Sequence, residues 1–65
     1  MIVHDILNES TKALEAAEIP SARLDAEVLL SFCLGCDRLE FYKNPDMTIS
    51  EAKLSTFRNL IARRL

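Results

Sequence analysis

Apolar side chains recur at helical spacing in the first quarter of the chain. They lie three or four positions apart between residues 3 and 17, with polar side chains opposite: Val3, Ile6, Leu7, Ala13, Leu14 and Ala17 against Asn8, Glu9, Lys12 and Glu15. This period predicts an amphipathic helix with one apolar stripe. Ile19-Pro20 is expected to end it, because the residue before a proline is disfavoured in the α region.

The next segment, residues 22–34, is apolar around most of its circumference. Ser21 stands where an N-cap belongs, and Gly35 is suited to a left-handed C-terminal stop. One face and most of the rest of the helix are apolar: Leu24, Val28 and Phe32 on the face, then Ala26, Leu29, Leu30, Cys33 and Leu34 around it. Such a helix is typically buried on several sides. Residues 22–34 are therefore predicted to be the central helix.

Two further helices follow. Asp37 is placed to cap a short helix from Arg38 to about Lys43, and a turn follows it at residues 44–46. Ser50 is placed to cap the last helix, whose apolar stripe is Leu54, Phe57, Ile61 and Leu65. No segment alternates as a strand would. The 65 residues therefore predict one all-α domain, a small bundle of about four helices.

Two carboxylates interrupt the central apolar segment, which raises the question of an acid/base or metal site. Asp25 and Glu27 are two positions apart, so on a helix they point about 200° away from each other and cannot act on one atom. Glu27 is expected at a solvated edge, paired with Arg23 four residues earlier. Asp25 is expected to be buried, and a buried carboxylate needs a partner. That partner is predicted to be Arg58 or Arg64.

Composition and charge narrow the classes of function. The formal net charge is −2, and phosphate binding needs a basic face, so nucleic acid is not expected as a direct partner. No apolar run approaches the roughly 20 residues that span a bilayer, and no signal peptide is visible, so a cytoplasmic protein without a membrane partner is expected. There is no glycine-rich loop and no Ser/His/Asp company for a nucleophile. No catalytic or cofactor-binding residue is predicted.

Cys33 and Cys36 form a C-x-x-C pair that can be interpreted in three ways. A redox dithiol would need a βαβ context, which the sequence lacks. A zinc site would need more ligands, and the sole histidine, His4, is far away in sequence. The favoured interpretation is one buried thiol on the central helix and one thiol just past its end, with no metal site.

Basic residues gather in the last helix, where Arg58, Arg63 and Arg64 follow Lys53. One interpretation is that they complement the helix dipole at its C-terminal end. The other is a docking edge for an acidic partner or a neighbouring domain. The chain stops at Leu65 without a residue that ends helices, so a longer natural protein is expected.

Residues 19–35, IPSARLDAEVLLSFCLG, resemble the N-terminal domain of the HemK/PrmC family, the release-factor glutamine methyltransferases. The block R-L-D-A-E-x-L-L followed by L-G carries the resemblance, with Arg23 to Leu30 and then Leu34-Gly35 in those places. The turn at Asn44-Pro45-Asp46 and the downstream A-R-R, ending at Arg64, are similar to the family's next stretch. The resemblance covers essentially the whole chain.

The resemblance implies a two-domain enzyme, in which a Rossmann-like domain absent from this chain binds S-adenosylmethionine. That domain methylates the glutamine side-chain amide in the Gly-Gly-Gln loop of peptide-release factors, and the helical domain helps to hold this protein substrate. Asn44-Pro45-Asp46 does not match the family's catalytic Asn-Pro-Pro-Tyr motif, so no catalytic residue is assigned to this chain. Arg58, Arg63 and Arg64 are the candidate contacts to the release factor or the catalytic domain. The alternative is a stand-alone helical interaction module, for instance a homodimer, with no enzymatic role.

Overall fold

The computed structural model describes all residues 1–65 as a bundle of four helices. In chain order they are α1 Val3–Ala16, α2 Ala22–Leu34, α3 Leu39–Lys43 and α4 Glu51–Arg64. The predicted all-α class is thereby confirmed. The β features amount to one isolated antiparallel bridge between Ile2 and Thr48. None of the four helices combines the length and the apolar character needed to cross a membrane.

The first two helices end with the same backbone device. After α1, Glu18 adopts a left-handed conformation (φ 62°), and the Ile19 amide donates to the Leu14 carbonyl at 3.1 Å. After α2, Gly35 takes the left-handed position (φ 67°), and the Cys36 amide donates to the Ser31 carbonyl at 3.3 Å. These are Schellman-type ends, which satisfy carbonyls that a helix terminus leaves free. α1 therefore stops before the Ile19-Pro20 step that was expected to end it.

The helix starts differ in how they are capped. Ser50 accepts a hydrogen bond from the Lys53 amide at 3.3 Å, which confirms the predicted N-cap of α4. Ser21 occupies the N-cap position of α2, as predicted, but its side chain accepts no backbone hydrogen bond. Ser21 instead donates its hydroxyl to the Asp25 carboxylate at 3.2 Å. Its backbone (φ −102°, ψ 37°) is not in the extended region that an N-cap residue usually occupies.

The third helix begins one residue later than expected. It begins at Leu39, with Arg38 in the N-cap position and no side-chain cap. The Asp37 carboxylate lies 3.5 Å from the Leu39 amide, at the limit of a hydrogen bond, so the expected cap contributes little. Asn44 follows the helix and donates its side-chain amide to the Glu40 carboxylate at 3.1 Å.

The core lies between α1, the inner side of α2 and α4. Twelve buried apolar residues form it: Val3, Ile6, Leu7, Leu14, Ala22, Ala26, Leu30, Cys33, Phe41, Ile49, Phe57 and Ile61. α2 is central in that it packs against both α1 and α4. The start of the chain is tied to the loop before α4, because the Val3 amide donates to Met47 at 2.8 Å and the Ile49 amide donates to Met1 at 3.1 Å.

The burial of α2 is one-sided, which differs from the expectation of burial on several sides. Its inner positions are buried, whereas Leu24 is 45%, Val28 49% and Phe32 79% exposed. The physical reason is the size of the domain, because the other three helices suffice only for the inner side and the two flanks of α2. A short apolar surface is left facing outward.

Candidate functional site

The outer face of α2 is an exposed apolar surface formed by Leu24, Val28 and Phe32. These residues are four positions apart, so they form a continuous apolar stripe along about 12 Å of helix. Exposed apolar side chains that are contiguous, rather than scattered, mark surfaces that contact a partner. The two carboxylates of the helix, Asp25 and Glu27, lie on either side of this stripe.

Glu27 forms one flank of the outer face, and its predicted place at a solvated edge is wrong. The residue is 2% exposed. Arg23 donates its Nε to one carboxylate oxygen at 3.0 Å, as the sequence predicted, and the Arg38 Nε donates to the other at 3.3 Å. Tyr42 adds a hydrogen bond from its hydroxyl. Three donors from α2 and from the α3 region therefore compensate the burial of one carboxylate.

The electrostatics of Glu27 follow from these partners. Burial by itself raises the pKa of this carboxyl, but the hydrogen bonds from Tyr42 and Arg23 and the charges of Arg23 and Arg38 outweigh it. The net effect is a lowered pKa, so Glu27 is ionised at neutral pH. A carboxylate held in this way is a poor general base. Its role is instead to bind α3 to α2 through a charged network.

Asp25 forms the other flank, and the structure pairs it with Arg64 rather than Arg58. The Arg64 guanidinium donates to the same carboxylate oxygen through its Nη2 at 2.9 Å and its Nε at 3.1 Å. Asp25 is partly buried rather than fully buried as expected, and half of the Arg64 side chain is exposed. The pair joins α2 to the last turn of α4, and a groove lined by Leu24, Val28, Leu29 and this ion pair runs between them.

The arginines of α4 divide into two that are paired within the chain and one that is not. Arg58 lies 3.6 Å from the Glu9 carboxylate of α1, in an exposed ion pair. Arg64 is bound to Asp25, whereas Arg63 is exposed and forms no ion pair or side-chain hydrogen bond. The structure therefore does not bring the three arginines together as one patch. Arg63 is the member of the set whose charge is available to a partner.

The cysteine pair lies at the end of α2, with Cys33 buried on the helix and Cys36 half-buried beyond it, as the favoured interpretation predicted. Both thiols are free. Burial raises the pKa of Cys33, against a smaller lowering by Lys53, and burial together with the charges of Glu40 and Asp37 raises that of Cys36. The thiolate is the reactive form, so these two thiols are poorly suited to redox chemistry.

The residues missed by sequence reasoning are Arg38 and Tyr42, both of which contact Glu27. Arg38 is the N-cap residue of α3 and Tyr42 lies four positions later on that helix, so both side chains face the same side. An arginine and a tyrosine on one face could have indicated a carboxylate partner. Which carboxylate they meet depends on how α3 folds back on α2, and that information is not local.

The chain is similar in sequence to one family of domains and to several methyltransferases. The profile of the PrmC N-terminal domain matches residues 5–65. The release factor glutamine methyltransferase of Koribacter versatilis is 38% identical over 64 residues, which is 98% of this chain and 23% of that protein. That of Leptospira interrogans is 39% identical over 59 residues, 91% of this chain and 21% of that protein. No solved structure matches the chain significantly. The chain thus spans between a fifth and a quarter of the length of these relatives.

Proposed function

Because this chain belongs to the family of PrmC N-terminal domains, we propose that it is the docking domain of a release factor glutamine methyltransferase. The observation that carries the proposal is the match of residues 5–65 to that domain, in relatives that are four to five times longer. The methyl transfer belongs to the remainder of the parent protein. The target is the glutamine side chain of a Gly-Gly-Gln loop, as the sequence resemblance implies.

A docking role follows from what the reaction requires. Methylating a side chain on a folded protein requires that its loop be held in a reactive orientation, and binding energy far from the reacting atom can provide this. A helical domain whose elements are tied together suits the task. Glu27 joins α2 to the α3 region, and Asp25 joins α2 to the end of α4.

S-adenosylmethionine is the methyl donor that the family implies, and no residue of this chain is assigned to it. A cofactor of this kind is held by a glycine-rich loop, whereas Gly35, the only glycine of the chain, ends α2. The residues present here therefore do not fit the cofactor. Its site belongs to the catalytic domain of the parent.

Arg63 is the proposed contact to the release factor, with the outer surfaces of α1 and α4 around it. The side chain is exposed and unpaired, so it can meet an acidic group of a partner without losing a bond within the domain. Arg58 and Arg64 contribute less to recognition, because binding a partner would cost each of them its present ion pair.

The test is a kinetic comparison in the full-length enzyme. Deleting residues 1–65 is expected to raise KM for the release factor while KM for S-adenosylmethionine stays constant. Arg63→Glu should raise the same KM about tenfold, in the range of one lost charged contact. Lys43→Glu, an equal charge change on α3, is the matched control and should have no effect. The docking role is wrong if deletion leaves both constants unchanged.

A further inference from the structure

We propose that the outer face of α2 is the internal docking surface for the polypeptide that directly follows Leu65 in the full-length protein. The release factor would then bind elsewhere on the domain. This inference rests on family membership and on the structure, and it does not depend on the proposed docking of the release factor.

The outer face needs a cover that this chain does not provide. Leu24, Val28 and Phe32 form a stripe along one side of a helix whose inner side is fully packed. Apolar residues that point outward from a small bundle in such a row are typical of a surface covered in the complete protein. Phe32, at 79% exposed, is the least covered of the three.

The geometry of α4 identifies the occupant. Its last turn is fixed to α2, because Arg64 binds Asp25 at 2.9 Å and lines the same groove as Leu24 and Val28. Leu65 follows directly, with an exposed apolar side chain. Any polypeptide that continues from Leu65 therefore starts beside the N-terminal half of the stripe. The relatives continue for several times the length of this chain.

The distance to be covered is short. Leu24 and Phe32 are eight residues apart on a helix, or about 12 Å along its axis. An extended segment advances about 3.3 Å per residue, so about four residues reach from one end of the stripe to the other. α4 runs antiparallel to α2, since its start lies near Cys33 and its end at Asp25, so the chain after Leu65 must first reverse direction in a turn. After that turn, about four extended residues cover the whole outer face.

A tethered occupant also fits the small size of the surface better than a separate protein does. A stable interface between two proteins buries about 800 Å² on each partner, far more than three partly exposed side chains supply. A segment attached at Leu65 is present at a high effective concentration and binds without a loss of translational freedom. A second copy of the domain has no such advantage.

The test uses the full-length methyltransferase, with hydroxyl-radical footprinting and amide hydrogen exchange. Phe32 is expected to be oxidised at least about tenfold more slowly than Tyr42, which is exposed in this domain. Phe32→Asp should lower amide protection in the segment after Leu65 by a similar factor. The matched control, Leu39→Asp, changes an exposed leucine on α3 and should leave that protection intact. Circular dichroism verifies that both variants keep their helices.

Four outcomes would overturn the proposal. The first is equal oxidation of Phe32 and Tyr42 in the full-length enzyme, and the second is unchanged protection after Leu65 in Phe32→Asp. The third is protection of Phe32 that rises with enzyme concentration, which would identify a second copy as the occupant. The fourth is protection of Phe32 only when release factor is added. A failed docking role would instead appear in KM for the release factor, so the two proposals fail separately.

Discussion

The two flanks of α2 carry the same kinds of side chain but differ in how deeply these side chains are buried. On each, a carboxylate of the helix binds an arginine that comes from another part of the fold: Glu27 with Arg38, and Asp25 with Arg64. Glu27 is 2% exposed and has three donors, whereas Asp25 keeps contact with solvent. The two flanks therefore use the same type of ion pair, but one carboxylate is buried and the other is in contact with solvent.

This difference shows that the contribution of an ion pair to the stability of a small domain depends on how deeply it is buried. Exposed ion pairs contribute about 0–1 kcal/mol, because water competes for both charges. Removing the buried carboxylate of Glu27 costs more, since three hydrogen bonds to one charged group are lost at once. The Glu27 flank should thus determine the stability of the bundle, and the Asp25 flank the position of the last turn of α4.

The largest effect is expected for Glu27→Ala. This change removes a buried carboxylate and three hydrogen bonds, and it should lower the free energy of unfolding by about 3 kcal/mol. Urea unfolding followed by circular dichroism measures it. A loss below about 1 kcal/mol would place Glu27 in the same class as Asp25 and end the distinction between the flanks.

Glu27→Gln removes the charge of the side chain but keeps its shape. At neutral pH it should lower the free energy of unfolding by about 1.5 kcal/mol. The pKa of Glu27 is lowered in the folded state, so its stabilising contribution is complete above the unfolded pKa of about 4.3. The contribution is lost as pH falls through the folded pKa. The stability difference between wild type and Glu27→Gln should therefore shrink toward zero in acid. A difference independent of pH would contradict the assignment.

Tyr42→Phe tests one donor of the same network. The phenol is exposed on its outer side, so the loss should be about 1 kcal/mol, the usual net value of one hydrogen bond. Thermal and urea unfolding measure this. In a Glu27→Gln background the same substitution should cost less, because the charged acceptor is gone. Purely additive losses would show that Tyr42 and Glu27 are not coupled.

The smallest effect is expected on the Asp25 flank. Asp25→Ala and Arg64→Ala should each cost about 0.5 kcal/mol, and a double-mutant cycle should give a coupling of similar size. The coupling should fall in high salt, because both side chains are in contact with solvent. A coupling above about 2 kcal/mol would show that the two flanks are equally strong.

The sequence predicted those features of the fold that depend on neighbouring residues. Period and capping residues located all four helices, and Ser50 caps α4 as expected because its partner is the amide of Lys53, three residues on. The Arg23–Glu27 pair was predicted for the same reason, since the two residues are one helical turn apart.

The sequence misled where the answer depended on distant elements. Glu27 was expected in solvent because the helical wheel of α2 does not show that Arg38 and Tyr42 fold over it. Leu24 and Phe32 were expected to be buried, because apolar residues around a helix indicate that its surface is covered. The pattern does not indicate which element covers it.

The hydrogen bonds between the start of the chain and the loop before α4 have a consequence for the order of folding. Val3 with Met47, and Ile49 with Met1, join residues more than forty positions apart. Contacts of such separation carry a large loop-closure entropy and form late. The first turn of α1 should therefore be ordered after the transition state, so truncating the buried side chain of Ile49 should speed unfolding and leave the folding rate nearly unchanged.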